Sequence, residues 1–165
     1  MSMSDFVTKM QADDCDTAAI AAFADAYTQL ASGATGMMPE STITPVTQLP
    51  QLAALAEYAT AGQQALGRTV VLRLNGGLGT GMGLEQAKSL LEVRNGDTFL
   101  DIVAKQHRYL MAQTGVALPL LFMNSFATDA DTRTLLARYP DVMAQYVIQG
   151  RVPKVRVDTL APVEW

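Results

Sequence analysis

The chain is short of the side chains that most often carry reactive chemistry. Its 165 residues include one cysteine, Cys15, one histidine, His107, and one tryptophan. A lone cysteine cannot close an internal disulfide, which fits a reducing compartment. His107 falls in the middle of an amphipathic run and is expected to be structural or solvated. Charge is also sparse: 12 Lys and Arg stand against 16 Asp and Glu, a net −4, with no basic block. Such a balance argues against nucleic acid and anionic membrane as partners. No run approaches the ~20 apolar residues of a membrane span. The opening Met-Ser-Met-Ser-Asp-Phe has neither a basic n-region nor an apolar h-region. The expectation is a soluble cytoplasmic protein with no secretion signal. With 49% hydrophobic residues the chain can build one core.

Glycine is distributed unevenly. A β-branched run, Thr69-Val70-Val71-Leu72, leads into Leu74-Asn-Gly-Gly-Leu-Gly-Thr-Gly-Met-Gly83, with five glycines between 76 and 83, and Lys88-Ser89 follows. Glycine has no Cβ to hold a ligand off and reaches positive φ, so such a loop can turn bare N–H groups toward a phosphate or a nucleobase. Two familiar motifs do not fit. A dinucleotide G-x-G-x-x-G would need glycine at Met82 or Leu84, and a Walker A loop would need it at Ala87.

The remaining pattern alternates. Residues 17–31 read as a helix, with Ile20, Phe23, Tyr27 and Leu30 on one face and Gly33 as its stop. Residues 32–50 form a loop punctuated by Pro39, Pro45 and Pro50. A short helix at 51–61 carries Leu52, Leu55 and Ala59 and stops at Gly62. Strands are expected at 69–75 and 89–94, the second ending in the turn Asn95-Gly96-Asp97. Thr98–Thr114 reads as a helix ending at Gly115. Its expected inner face is Phe99, Ile102, Val103, Gln106, Tyr109 and Leu110, with Asp101, Lys105 and Arg108 opposite. Leu118–Asn124 reads as a strand covered on both faces. Thr128-Asp-Ala-Asp131 resembles a capping box and opens a helix that ends before Pro140. A strand at 144–149 and an extended segment at 152–157 follow. The alternation implies a parallel α/β sheet. Ligands of such sheets sit at the carboxyl ends of the strands. The glycine loop, Asn124 and Gln149 all leave strands at that rim.

Four blocks, Leu74–Gly83, Lys88–Arg94, Thr98–Asp101 and Met123–Phe126, together resemble the UDP-glucose pyrophosphorylases, the UTP–glucose-1-phosphate uridylyltransferases, in order and spacing. The resemblance is strongest from Val70 to Thr132, weaker to Trp165 and loose before 69. It implies a Rossmann-like sugar-nucleotidyltransferase sheet, with 1–68 a helical N-terminal segment and loop, and 69–165 the N-terminal part of the catalytic domain. It also implies formation of UDP-glucose and pyrophosphate from UTP and glucose 1-phosphate. That reaction needs no covalent enzyme intermediate. Positioning, cations and Mg²⁺ bring two polyanions together and stabilise the leaving group.

By the same resemblance Lys88 meets the nucleotide phosphates and is the catalytic candidate. Leu74, Asn75, Gly76 and Gly77 approach uracil, ribose and phosphates, Gly79 and Thr80 continue the loop, and Gln149 reads the uracil edge. Two departures stand out. Gly81 occupies a place where related deoxythymidylyl and N-acetylglucosamine enzymes carry arginine. Ala87 replaces the family's usual proline, which predicts a looser loop. The family's Pro-Pro-Gly-His-Gly-Asp segment, its metal-holding Asn-x-Asp segment, a second lysine and a C-terminal domain are expected beyond residue 165. The Mg²⁺ ligands are expected there too, while Asp129, Asp131 and Asp141 are spaced as cap and surface acids. A partial chain that is inactive alone is therefore expected. A non-catalytic nucleotide-binding or regulatory module, or a pyrophosphorylase for another sugar 1-phosphate, are the alternatives.

Overall fold

The computed structural model describes residues 3–163. By contact the chain divides into two compact units: Pro50–Gln149, and the residues up to Leu49 together with those from Gly150 onward. The division at 68/69 drawn from pattern falls inside the first of these.

The unit Pro50–Gln149 holds the sheet. Strands β1 (Val71–Asn75), β4 (Leu120–Asn124) and β5 (Ala144–Ile148) are parallel in the order β1-β4-β5, with Asn75 beside Asn124 and Asn124 beside Ile148. A hairpin of β2 (Glu92–Arg94) and β3 (Asp97–Thr98) turns through Asn95 and Gly96, both at positive φ, 55° and 78°. An Asn-Gly pair adopts that geometry readily. Helices α4 (Phe99–Thr114) and α5 (Asp129–Leu136) share one core with the sheet, built from Leu100, Ala104, Leu120, Phe122, Leu135, Leu136, Tyr139 and Val142. Burying a side chain of this size contributes about 1.5–3 kcal/mol.

Several expectations change. The helix read at 51–61 is a 3-10 run, Leu52–Tyr58, followed by α3 (Ala59–Ala65), which passes straight through Gly62. Leu52 and Leu55 are exposed rather than packed. The strand read at 89–94 opens as a 3-10 turn, Lys88–Leu90, and only Glu92–Arg94 is extended. The inner face of α4 is Leu100, Asp101, Ala104 and His107, rotated from the expected stripe; Phe99 and Tyr109 face solvent. The rotation follows from the helix start. Thr98 and Asp101 form a reciprocal capping box, which turns Asp101 inward against the Tyr139 hydroxyl at 2.7 Å. His107 is buried, its Nε2 3.0 Å from the Leu118 carbonyl oxygen, in keeping with a structural role. Strand β4 is covered on one face only: Leu120, Phe122 and Asn124 are buried, whereas Leu121 and Met123 share the opposite face with the exposed Leu72, Leu74 and Val147.

In the other unit, α1 (Met3–Ala12), which the pattern reading passed over, pairs with α2 (Thr17–Ala31). Phe6 is buried with its ring centroid 5.1 Å from those of both Phe23 and Tyr27. Asp16 caps α2 by accepting from the Ala19 N–H. Residues 152–157 are mostly irregular, with a single bridge from Val155 to Pro162. The resemblance at Glu164 and Trp165 lies outside the described residues.

Candidate nucleotide site

Because β1, β4 and β5 run parallel, their carboxyl ends share one rim, and Asn75, Asn124 and Gln149 meet there. The Gln149 N–H donates to the Asn124 carbonyl at 2.7 Å. Its side chain lies against Gly76: a Cβ added at Gly76 would stand 2.7 Å from Gln149 Cδ, so glycine is what lets the two approach. The sequence reading assigned both residues to one ligand, and the fold brings them side by side.

The glycine loop folds back on itself. Leu78 and Ala87 form an antiparallel bridge, with the Lys88 N–H donating to the Gly77 carbonyl at 3.0 Å. Thr80–Met82 is a 3-10 turn closed by Gly83 at φ 72°. Gly79 is buried beneath it, and a Cβ there would meet Leu84 Cβ at 2.7 Å. Among the described residues the N–H groups of Gly77, Thr80 and Gly81 have no partner, which leaves them as donors for an anion. Lys88 is exposed at the foot of the loop, and its ammonium has no ion-pair partner among the described residues. Leu74 stands on the open face of the sheet, 73% exposed.

Asn75 behaves differently from a ligand-facing amide. Its Nδ2 donates to Asn124 Oδ1 at 2.9 Å and to Thr132 Oγ1 at 2.7 Å. Asn124 passes the chain on to Asp129 at 2.8 Å, and Asp129 pairs with Arg133 at 2.6 Å. The Arg133 guanidinium lies over the Tyr146 ring at 4.1 Å. The hydrogen bonds from Arg133 and Asn124 hold the Asp129 carboxyl below its usual range, while burial raises the Tyr146 phenol. The Asn75 side chain therefore braces the rim from below.

The loop is not slack at Ala87. This residue is fully buried, and its N–H donates to Asp131 Oδ2 at 2.9 Å. A proline has no such N–H, so alanine adds a tether that the expected substitution pattern did not suggest. Asp129 and Asp131 are accordingly not idle cap acids, and only Asp141 is an exposed one, paired with Arg108. Nor do Thr128 and Asp131 form a capping box: Thr128 makes no side-chain cap to α5. Sequence reasoning noticed the Thr-x-x-Asp spacing but assigned it to the helix. No group of three or more His, Cys, Asp or Glu among the described residues could hold a metal ion.

A parallel sheet whose first strand empties into a glycine-rich loop followed by a lysine defines the chain as an α/β protein with a phosphate-binding type of rim. Comparison supplies the family. The model of the UTP–glucose-1-phosphate uridylyltransferases matches residues 20–165, and the chain belongs to that family. It is 47% identical over 100 residues to the Saccharomyces cerevisiae UTP–glucose-1-phosphate uridylyltransferase, covering 59% of this chain and 20% of the yeast protein. Against the Solanum tuberosum enzyme the identity is 42% over 115 residues, covering 68% and 24%. A Leishmania major UDP-glucose pyrophosphorylase solved in complex with UDP-glucose superposes with a TM-score of 0.88 at 40% identity, over 100% of this chain and 36% of that one. For a Trypanosoma brucei UDP-glucose phosphorylase the values are 0.83 and 39%, over 99% and 34%. The chain thus spans about a fifth to a quarter of the length of these curated relatives.

Proposed function

We propose that this chain supplies the UTP-binding part of a uridylyltransferase that forms UDP-glucose and pyrophosphate from UTP and glucose 1-phosphate. The observation that carries the reading is the approach of Gln149 to Gly76 at the mouth of a loop with unpartnered N–H groups. An amide donates and accepts at once, so Gln149 can pair with the imide edge of uracil. Gly76 leaves room for the Gln149 amide at the rim, and the N–H groups of Gly77, Thr80 and Gly81 receive phosphate oxygens. Lys88 adds a mobile positive charge for phosphates whose oxygens shift as pyrophosphate departs. Leu74 stands exposed beside this rim, and Gly79 supports the loop from beneath by its close approach to Leu84.

Mg²⁺ would supply charge neutralisation of the triphosphate. The described residues offer no ligand set that fits it, since Asp129 and Asp131 are already engaged by Arg133, Asn124 and Ala87. Neither metal ligands nor sugar ligands are proposed among the described residues. The chain alone is expected to bind UTP without turning it over. A cytoplasmic setting is proposed on the same footing; no helix among the described residues is long and apolar enough to cross a membrane.

Calorimetric titration with UTP, ATP and GTP under Mg²⁺ tests the reading. Selective UTP binding that Lys88→Ala weakens is the expected result. Preference for a purine nucleotide, or no binding to any, overturns it for this chain.

A further inference from the structure

The two residues that should cap α5 are spent elsewhere. Thr128 is fully buried and its hydroxyl donates to the Asn75 carbonyl at 2.7 Å, the last residue before the glycine loop. Asp131 accepts from the Ala87 N–H at 2.9 Å, the first residue after it. A threonine and an aspartate three apart normally satisfy the orphan N–H groups of their own helix. Here the α5 N-terminus forgoes that side-chain cap and holds both feet of residues 76–86 instead. Asn75 adds a third tie through its amide to Thr132, one turn further along α5. The exit tie lies one residue from Lys88, whose own N–H closes the loop onto Gly77.

We propose that Asp131, acting with Thr128, is a positioning residue that clamps both ends of the glycine loop to α5 and thereby fixes Lys88 relative to the loop N–H groups. The proposal rests on the nucleotide reading above for its purpose, but its geometry is independent of any ligand. Each residue acts on the loop's backbone, Thr128 at the Asn75 carbonyl and Asp131 at the Ala87 N–H. The carboxylate makes the exit tie charge-assisted, which strengthens it over a neutral bond.

Amide exchange resolved by NMR, with UTP titration alongside, tests it on this chain. In Asp131→Ala the amides of Ala87 and Lys88 should exchange at least about tenfold faster, while those of α4 and β4 keep their protection. UTP affinity should fall by about the same factor, because the loop must be ordered on binding. Asp131→Asn keeps an oxygen that can accept the Ala87 N–H and should restore most of both. Unchanged exchange at Ala87 in Asp131→Ala overturns the clamp. Uniform acceleration through α4 and β4 also overturns it, since Asp131 would then be structural only. Faster exchange at Ala87 with unaltered UTP affinity overturns the positioning role. If the unsubstituted chain binds no UTP, the nucleotide reading fails by itself, and the exchange measurement still decides the clamp.

Discussion

Gly76 and Gly79 separate two reasons for glycine in one loop. At Gly76 an added Cβ meets the flexible end of Gln149, which can swing aside. Gly76→Ala should therefore leave thermal stability within about 0.5 kcal/mol of the parent while weakening UTP binding in a calorimetric titration, because the glutamine amide is displaced. At Gly79 the obstacle is the Cβ of Leu84, held close to the backbone, and the site is buried. Gly79→Ala should cost about 1–3 kcal/mol as overpacking, read as a lower midpoint in denaturant unfolding with unchanged slope. Lys88 is the complementary case. With no ion-pair partner among the described residues, Lys88→Ala should leave the unfolding midpoint alone and act on nucleotide affinity.

At the scale of elements, α4 is fixed by its first turn. Thr98 and Asp101 cap each other, and Asp101 also receives the Tyr139 hydroxyl and lies 3.5 Å from Arg138. Burial raises the Asp101 carboxyl, but the Thr98 N–H, the Tyr139 and Thr98 hydroxyls and the Arg138 charge together outweigh it and leave it below its ordinary value. A carboxyl more acidic in the folded state binds fewer protons there than when unfolded. Its stabilisation is present above the ordinary carboxylate pKa and is lost as pH falls through the lowered folded value. Asp101→Asn should thus lower stability near neutral pH and flatten the acid limb of a melting-temperature profile. Tyr139 titrates the other way. Burial, and then the hydrogen bond to Asp101, push its phenol up to about 12. The folded state keeps that proton longer, so its contribution is whole below pH 10 and fades as pH rises through about 12. Ultraviolet titration of the phenolates in parent and Tyr139→Phe checks this, the variant lacking the last ionisation.

At the scale of the whole molecule, the sheet is covered on one side. Leu72, Leu74 and Val147 are 53%, 73% and 44% exposed on the other, in line with Leu121 and Met123. An open apolar sheet face with β1 at its edge favours association or pairing with another chain. The chain at micromolar concentration should sediment heavier than a monomer and bind a hydrophobic dye. Leu74→Lys together with Val147→Lys should reduce both signals without loss of far-ultraviolet ellipticity.

By itself the sequence determined what local chemistry decides. The glycine cluster, the Asn95-Gly96 turn, the Gly115 stop and the strand-helix alternation are short-range signals, and with the family blocks they led to a parallel α/β sheet and to its rim. Only the tertiary structure decided how side chains with several options were used. Asp101 looked like a surface acid until Tyr139, 38 residues away, gave it a buried partner. Thr128 and Asp131 looked like a cap until Asn75 and Ala87 came within reach. Asn75 looked free for a ligand until Asn124 and Thr132 took its amide. A hydrogen-bonding side chain commits to whichever partner folding brings within about 3 Å, and that partner is set by distant segments that no local pattern records.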